Sequence, residues 1–328
     1  MRTLLFLAAL TIWGCQEISF SGKGKDVPTA GEISIGFEFG DSFMVQQWLE
    51  IFHSQYPKAK ITPIYGNYSQ LTALLLSDSL HGAFLHEKFN EEQLAWLKQQ
   101  KNSTVNEIEL GTTSLVFIAH RDAKLENLKL DQIKNELFGN IAANTSSIPK
   151  YEWALPSRSS SEWRTLAGFC SGHNYVTRSK EGGADSAENN QQKWIKHLPG
   201  KHVKWIDNHQ EIINYVSRNP NTIGVVSLNH IADKKDSLAL ANSKNVKVLA
   251  VENNQGKFTY PFQSQISLAQ YPFSQPVVSY EMQGYSGLIG GFVLYCNSQA
   301  GQALMKKSGL LPKNYQGRKI ELELPNSN

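Results

Sequence analysis

The strongest constraint on this chain is the alternation of two hydrophobic periods along almost its whole length. Short strand-like runs such as "ISI", "KITPIYG", "SLVFIAHRD", "TIGVVSL" and "NVKVLAV" alternate with segments whose apolar residues recur every three and four positions, as in Val45, Trp48, Leu49 and Phe52. That pattern argues for an α/β protein, in which each helix carries the chain back across a sheet to begin the next strand. The chain has 328 residues, 41% of them hydrophobic and 19% charged, enough apolar mass for one large domain or two lobes. No segment after residue 15 approaches the roughly 18 uninterrupted apolar residues of a membrane span. A net charge of +3 is too small to point to nucleic acid. No Cys/His cluster stands at metal-ligand spacing, so neither a metal site nor a cofactor is expected.

Local signals set several boundaries. A helix begins at Asp41 or Ser42 and stops near Tyr56-Pro57, because the residue before a proline leaves the helical region. Ser69 begins a second helix through Leu71, Leu74 and Leu75, and Asn90 caps a third, "NEEQLAWLKQQ". Between them "GAFLHE" is strand-like. "LKLDQIKNELFGN" is a helix ended by Gly139, and a Ser/Pro-rich loop leads to a helix whose Trp163, Leu166 and Phe169 are spaced for core packing. The polar region "GADSAENNQQKWIKHL" follows, and "NHQEIINYVSRNPNTIGVVSL" is a helix, a turn and a buried strand. "ADKKDSLALANSKN" reads as a solvated face, and "GLIGGFVLYCNSQAGQALMKKSGLLP" as a final helical region. Cys170 and Cys296 either form one disulfide or stay as two buried thiols; both alternatives are open.

The first fifteen residues, MRTLLFLAALTIWGC, join an early positive charge at Arg2 to an apolar run from Leu4 to Trp13 and then Gly14-Cys15. So short a run is a secretory signal. A small residue directly before Cys resembles the lipobox of bacterial lipoproteins, in which Cys15 takes the lipid and becomes the new N-terminus. Residues 16–30 are polar, with Gly and Pro, and suit a flexible tether. The expected location is the cell envelope, lipid-anchored to a bacterial membrane on its periplasmic or outer face.

Six blocks, taken in order, carry a resemblance: "LEIFHSQYP", "ITPIYGNYSQLTALL", "LKLDQIKNELFGN", "NYVSRNPNTIGVVSL", "YPFSQPVVSY" and "SQAGQALMKKSGLLP". Together they resemble the substrate-binding proteins of phosphate-type ABC transporters, members of the two-lobed periplasmic-binding class. The resemblance implies two α/β lobes, each a mixed sheet flanked by helices, with two hinge crossovers. Lobe one would hold residues 31–109 and 273–328, and lobe two residues 110–272. Ligand would lie in the cleft, and closure would be a hinge motion.

In such a cleft several helix N-termini aim unpaired N–H groups, and the positive ends of their dipoles, at one oxyanion. Three helix starts stand in the matching order: Gly40-Asp41-Ser42, then Asn67 with Ser69, then Arg158 with Ser159, Ser160 and Ser161. The resemblance gives Arg158 a charge-assisted contact. Ser, Asp and Asn are also ordinary caps, and an arginine beside serines is commonly a surface residue. His81 and His86 occupy positions where the family carries an acidic residue and a Ser-Arg pair, so they join the expected ligand contacts. The first loop has Gly36-Phe37-Glu38-Phe39 in place of the family's Gly-Ser-x-Thr run, and Glu162-Trp163 replace Gly and Thr in the third. Glu38 and Glu162 would repel an anion unless they point outward.

Phe39-Gly40-Asp41-Ser42 also reads like the nucleophile block of a GDSL-type hydrolase, which needs an Asp-x-x-His near the C-terminus to activate the serine. The only such pair, Asp78 with His81, comes far too early, and no His follows His230. His197, His202 and His209 read as surface residues on a polar segment. The expected protein is therefore a monomeric solute-binding lipoprotein that captures phosphate or a related small oxyanion, presents it to the membrane permease of an ABC importer, and catalyses nothing. The alternative keeps the fold with a degenerate or different ligand site, serving signalling or interaction at the cell surface.

Overall fold

The computed structural model describes residues 26–101, 105–138, 151–171, 202–233 and 236–316. The signal segment with Cys15, most of the tether, Gly139, and the polar region with His173 and His197 lie outside the described residues. The first half begins with β1 (Gly31–Glu38), α1 (Ser42–Gln55), β2 (Ala59–Gly66), α2 (Tyr68–Leu76), β3 (Gly82–Leu85) and α3 (Glu91–Lys101). β4 (Asn106–His120), β5 (Asn127–Leu128), α4 (Leu130–Phe138), β6 (Glu152–Leu155), α5 (Ser161–Ser171), β7 (Val203–Trp205), α6 (His209–Val216) and β8 (Thr222–Ser227) follow. Next come α7 (Asn229–Ala232), α8 (Ser237–Asn245), β9 (Val246–Val248), β10 (Ala250–Glu252), β11 (Phe258–Thr259) and α9 (Gln263–Ser267). The described chain closes with β12 (Ser274–Glu281), α10 (Leu288–Asn297), α11 (Gln299–Lys307) and β13 (Leu311–Pro312).

α1 buries Met44, Val45, Trp48, Leu49 and Phe52, the face its periodicity marks, and Trp48 Nε1 donates to the Gly301 carbonyl at 3.0 Å. This bond ties the first helix to the last. Asn67 caps α2 reciprocally: its side chain accepts from the Gln70 N–H at 3.0 Å, and Gln70 Oε1 accepts from the Asn67 N–H at 3.1 Å. Two orphan donors are satisfied at once. Asn67→Ala should therefore lower stability by about 1 kcal/mol. The check is urea unfolding, where the midpoint falls with an unchanged slope; an unmoved midpoint would show that the box contributes nothing.

β1 lies between β2 and β3, parallel to both. β4 is shared by the two halves of the sheet. Its first part pairs antiparallel with β12, and from Leu115 to Ala119 it pairs antiparallel with β8. The strand path is β2-β1-β3-β12-β4-β8-β6-β7. β8 is buried at every position, which explains its apolar centre, Ile223 to Val226. Apolar side chains gather into separate cores. One holds Phe117, Trp153, Trp163, Ile213 and Ile223; a second holds Trp48, Phe52, Phe84 and Phe292; a third, under α2 and α3, holds Tyr68, Leu71, Leu85 and Tyr280. Separate cores on either side of a shared strand make the molecule two-lobed.

The C-terminal helical region divides into α10 and α11, because Ser298 is extended and its hydroxyl accepts from the Gly301 N–H at 3.3 Å. The charged run after Asp233 is a solvated face, as its composition suggests, and it forms α8, which buries only Ala239 and Asn242 and is capped by Asp236 through the N–H groups of Leu238 and Ala239. Cys170 and Cys296 are free thiols buried in different cores.

Candidate ligand site between the lobes

β1 and β3 end at the seam between the lobes. They are parallel neighbours, Phe37 paired with Phe84, so Glu38 and His86 leave the sheet side by side. The His86 N–H donates to Glu38 Oε1 at 2.7 Å. From the opposite lobe α5 enters with Ser161 and Glu162, its start capped by Ser160, which accepts from the Trp163 N–H at 3.1 Å. Ser161 Oγ then donates to Glu38 Oε2 at 2.5 Å. One carboxylate thus accepts a donor from each lobe.

The remaining groups close around that contact. Asp41, in the turn before α1, accepts from His86 Nε2 at 2.7 Å and from Asn229 Nδ2 at 3.4 Å. His209, the first residue of α6, places Nε2 3.2 Å from Glu162 Oε1, while its Nδ1 accepts the Ser227 N–H at 2.9 Å. Because Nδ1 accepts, Nε2 carries the ring proton and presents it to Glu162. His230 stacks on His209 with centroids 5.1 Å apart and 9° between planes. Glu38, Asp41, His86, Ser161, Glu162, His209, Asn229 and His230 are all buried.

Burial pushes Glu38 up to about 7, against the opposing field of His86. Burial acts to lower His86, but the carboxylates of Asp41 and Glu38 outweigh it and hold the ring up to about 10. Burial acts to raise Glu162, yet the hydrogen bond from His209 and the field of the imidazoles hold it down to about 2. His230, desolvated beside His209, is pushed down to about 3 and is neutral near pH 7. A cavity of about 10 Å³ remains, lined in part by Glu38, Asn67, Ser160, Glu162 and His209. That is room for about one water.

The fold brings some expected residues together and separates others. Gly40, Asp41, His86, Ser160 and Ser161 reach the seam, and a Cβ on Gly40 would stand 2.7 Å from Glu162 Oε1. Asp41 does not cap α1; its carboxylate is turned to His86 instead. Ser42 opens α1. Ser69 meets Ser159 across the seam, its N–H 3.3 Å and its hydroxyl 3.5 Å from the Ser159 carbonyl. His81 lies at the other end of β3 from His86, where Nδ1 accepts the Ser34 N–H. Arg158 is exposed and stacked over Trp205 at 4.8 Å, outside the buried cluster. Glu38 and Glu162 point inward, and His209 is not a surface residue.

The arginine that bridges the lobes is Arg164, which donates from Nε and Nη2 to both oxygens of Glu87 at 2.5 and 2.7 Å and lies over the Tyr68 ring. Arg164→Ala should remove about 1–3 kcal/mol of closed-form stability and enlarge the radius of gyration in solution scattering. An unchanged radius would show that the latch does not hold the lobes.

A family model described as a PBP superfamily domain matches residues 28–300. A Clostridium perfringens protein assigned as a phosphate ABC transporter substrate-binding protein, with bound phosphate, superposes with a TM-score of 0.64 at 16% identity, over 86% of this chain and all of its own. An ABC-type phosphate transport receptor from Vibrio cholerae gives 0.56 at 15% identity, over 86% of this chain and 100% of that one. The fold also extends to OxyR of Corynebacterium glutamicum, at 0.51 and 10% identity, over 86% of this chain and 68% of that one. No curated protein matches the chain in sequence. At these identities the superpositions speak to fold alone. With a shared central strand, a lobe on either side and a family match over most of its length, this chain belongs to the PBP superfamily, the two-lobed periplasmic-binding-protein fold.

Proposed function

We propose that this protein is the extracytoplasmic solute-binding component of an ABC importer, lipid-anchored through Cys15, which closes as a monomer on a small oxyanion such as phosphate and presents it to a membrane permease. The observation that carries this reading is the double grip on Glu38: an N–H from His86 and an O–H from Ser161 converge from the two lobes on one pair of oxygens. Donors so placed suit an oxyanion, and in this closed form the protein's own carboxylate stands in for it. The phosphate named for the C. perfringens and V. cholerae proteins agrees with that ligand class. Solute capture needs no chemistry from Ser42, and His81, the one histidine at hydrolase spacing from an Asp, is occupied by Ser34.

The test is thermal denaturation of EDTA-treated protein with a panel of phosphate, sulfate, molybdate, sugars and amino acids, at constant ionic strength. A ligand at 100 times its Kd adds about 2.7 kcal/mol to the native state. Stabilisation by a sugar or amino acid but by no anion would keep the receptor and discard the oxyanion. A second reading is favoured by the small cavity and the inward carboxylates: a cleft sealed on its own side chains, serving interaction at the cell surface. Silence across the whole panel would establish it.

A further inference from the structure

We infer that the buried cluster of Glu38, His86 and Glu162 is a binding site for one divalent transition-metal ion, with Zn2+ the ion its donors suit. One ring nitrogen of His86 and one carboxylate oxygen each from Glu38 and Glu162 lie within 4.8 Å of one another, and all three residues are buried. Ligand atoms at the usual 2.0–2.2 Å from a tetrahedral ion stand roughly 3.5 Å apart. Side-chain rotations that draw the three donors in by about an ångström complete the site.

The cluster shows a second, independent sign. His86 is 2% exposed, and its Nδ1 has no hydrogen-bond partner. A polar nitrogen buried without a partner costs free energy that a bound cation would recover. Asp41 already holds Nε2 at 2.7 Å, leaving Nδ1 for the ion. A carboxylate behind a histidine in this way sets the tautomer and strengthens the ligand. Ser161 and the His86 N–H orient Glu38 similarly, and His209 orients Glu162.

Three protein ligands leave a fourth position open, and the one-water cavity borders both Glu38 and Glu162. Imidazole and carboxylate donors with no thiolate suit Zn2+ among the first-row ions. The site goes beyond the solute reading and does not depend on it, since the ion binds with or without an anion.

The test is calorimetric titration of ZnCl2 into full-length protein freed of metal with EDTA, in chloride buffer without phosphate. One ion per chain is expected, with at least ten-fold weaker binding in His86→Gln and Glu162→Gln. Asp41→Asn, which touches no ion, should weaken binding 10- to 100-fold. Circular dichroism screens the variants for folding. CoCl2 added to the parent protein supplies a readout independent of them: a visible absorption band displaced by ZnCl2. No heat and no band from the parent, or equal zinc affinity in folded variants, overturns the site. Failure here leaves the anion experiment untouched, and failure of that experiment leaves this one standing.

Discussion

Glu38→Gln is expected to strengthen phosphate binding by 10- to 100-fold at pH 8. Glu38 is fully desolvated, and its oxygens occupy the two donors that, on the proposed function, an incoming oxyanion would take. At pH 8 it lies above its own value of about 7 and is mostly ionised. Two unit charges about 4 Å apart repel by roughly 4 kcal/mol at an effective dielectric of 20, an upper bound because the open cleft relieves part of it. Even half of that exceeds a factor of ten in affinity. Glutamine retains the shape and an acceptor for the His86 N–H while losing the charge. The comparison is calorimetric, with EDTA-treated proteins, at pH 8 and at pH 5.5. At the lower pH Glu38 is protonated in the parent too, so the two proteins should converge. Equal affinities at pH 8, or a weaker variant, would falsify the view of Glu38 as a built-in competitor. The same substitution should weaken zinc, so the two ligands respond to it with opposite signs.

The second large effect is a fall in stability between pH 7 and 8.5 in metal-free protein. His86 is held up to about 10 when folded, against an ordinary value near 6.5. Below 6.5 both states carry the proton and its stabilisation is complete; between 6.5 and 10 only the folded ring keeps it, so stability drains away as pH rises. The slope for one such group is about 1.4 kcal/mol per pH unit, or roughly 2 kcal/mol over the window. For a protein of this size that lowers the Tm by about 3 °C. Glu38, raised to about 7, adds to the loss only at the start of the window. Glu162 and His230, both lowered, act on the acid side: their contributions disappear as pH falls from 4.5 through 2 and from 6.5 through 3, respectively. His86→Gln should flatten the alkaline slope. A parent Tm that is level from pH 7 to 8.5, or a variant with the parent's slope, would mean that the ring does not keep its proton in the closed seam.

Much of the architecture is written locally. Val45, Trp48, Leu49 and Phe52 mark the buried face of α1, Asn67 and Asn90 mark helix starts, and the apolar centre of β8, Ile223 to Val226, marks a strand covered on both sides. Part of the site was legible as well. His209 continues the helical row of Ile212, Ile213 and Val216, so its burial is encoded in spacing, although its charge type suggested the surface. Capping, propensity and periodicity act within a turn or a strand, which is why residues a few positions apart suffice to reveal them.

What only the tertiary structure decided is which polar ends meet. Glu38 lies 48 residues from His86 and 123 from Ser161, and no local window couples them. Arg164, inside α5, meets Glu87 on the other lobe, whereas Arg158, in the turn before that helix, lies outside on Trp205. His81 and His86 fell at opposite ends of one short strand. A carboxylate or imidazole at a segment end has the same local sequence whether solvent or another lobe covers it. Its burial, its protonation and any ion it holds depend on desolvation and on charges from distant segments, and those are properties of the closed seam alone.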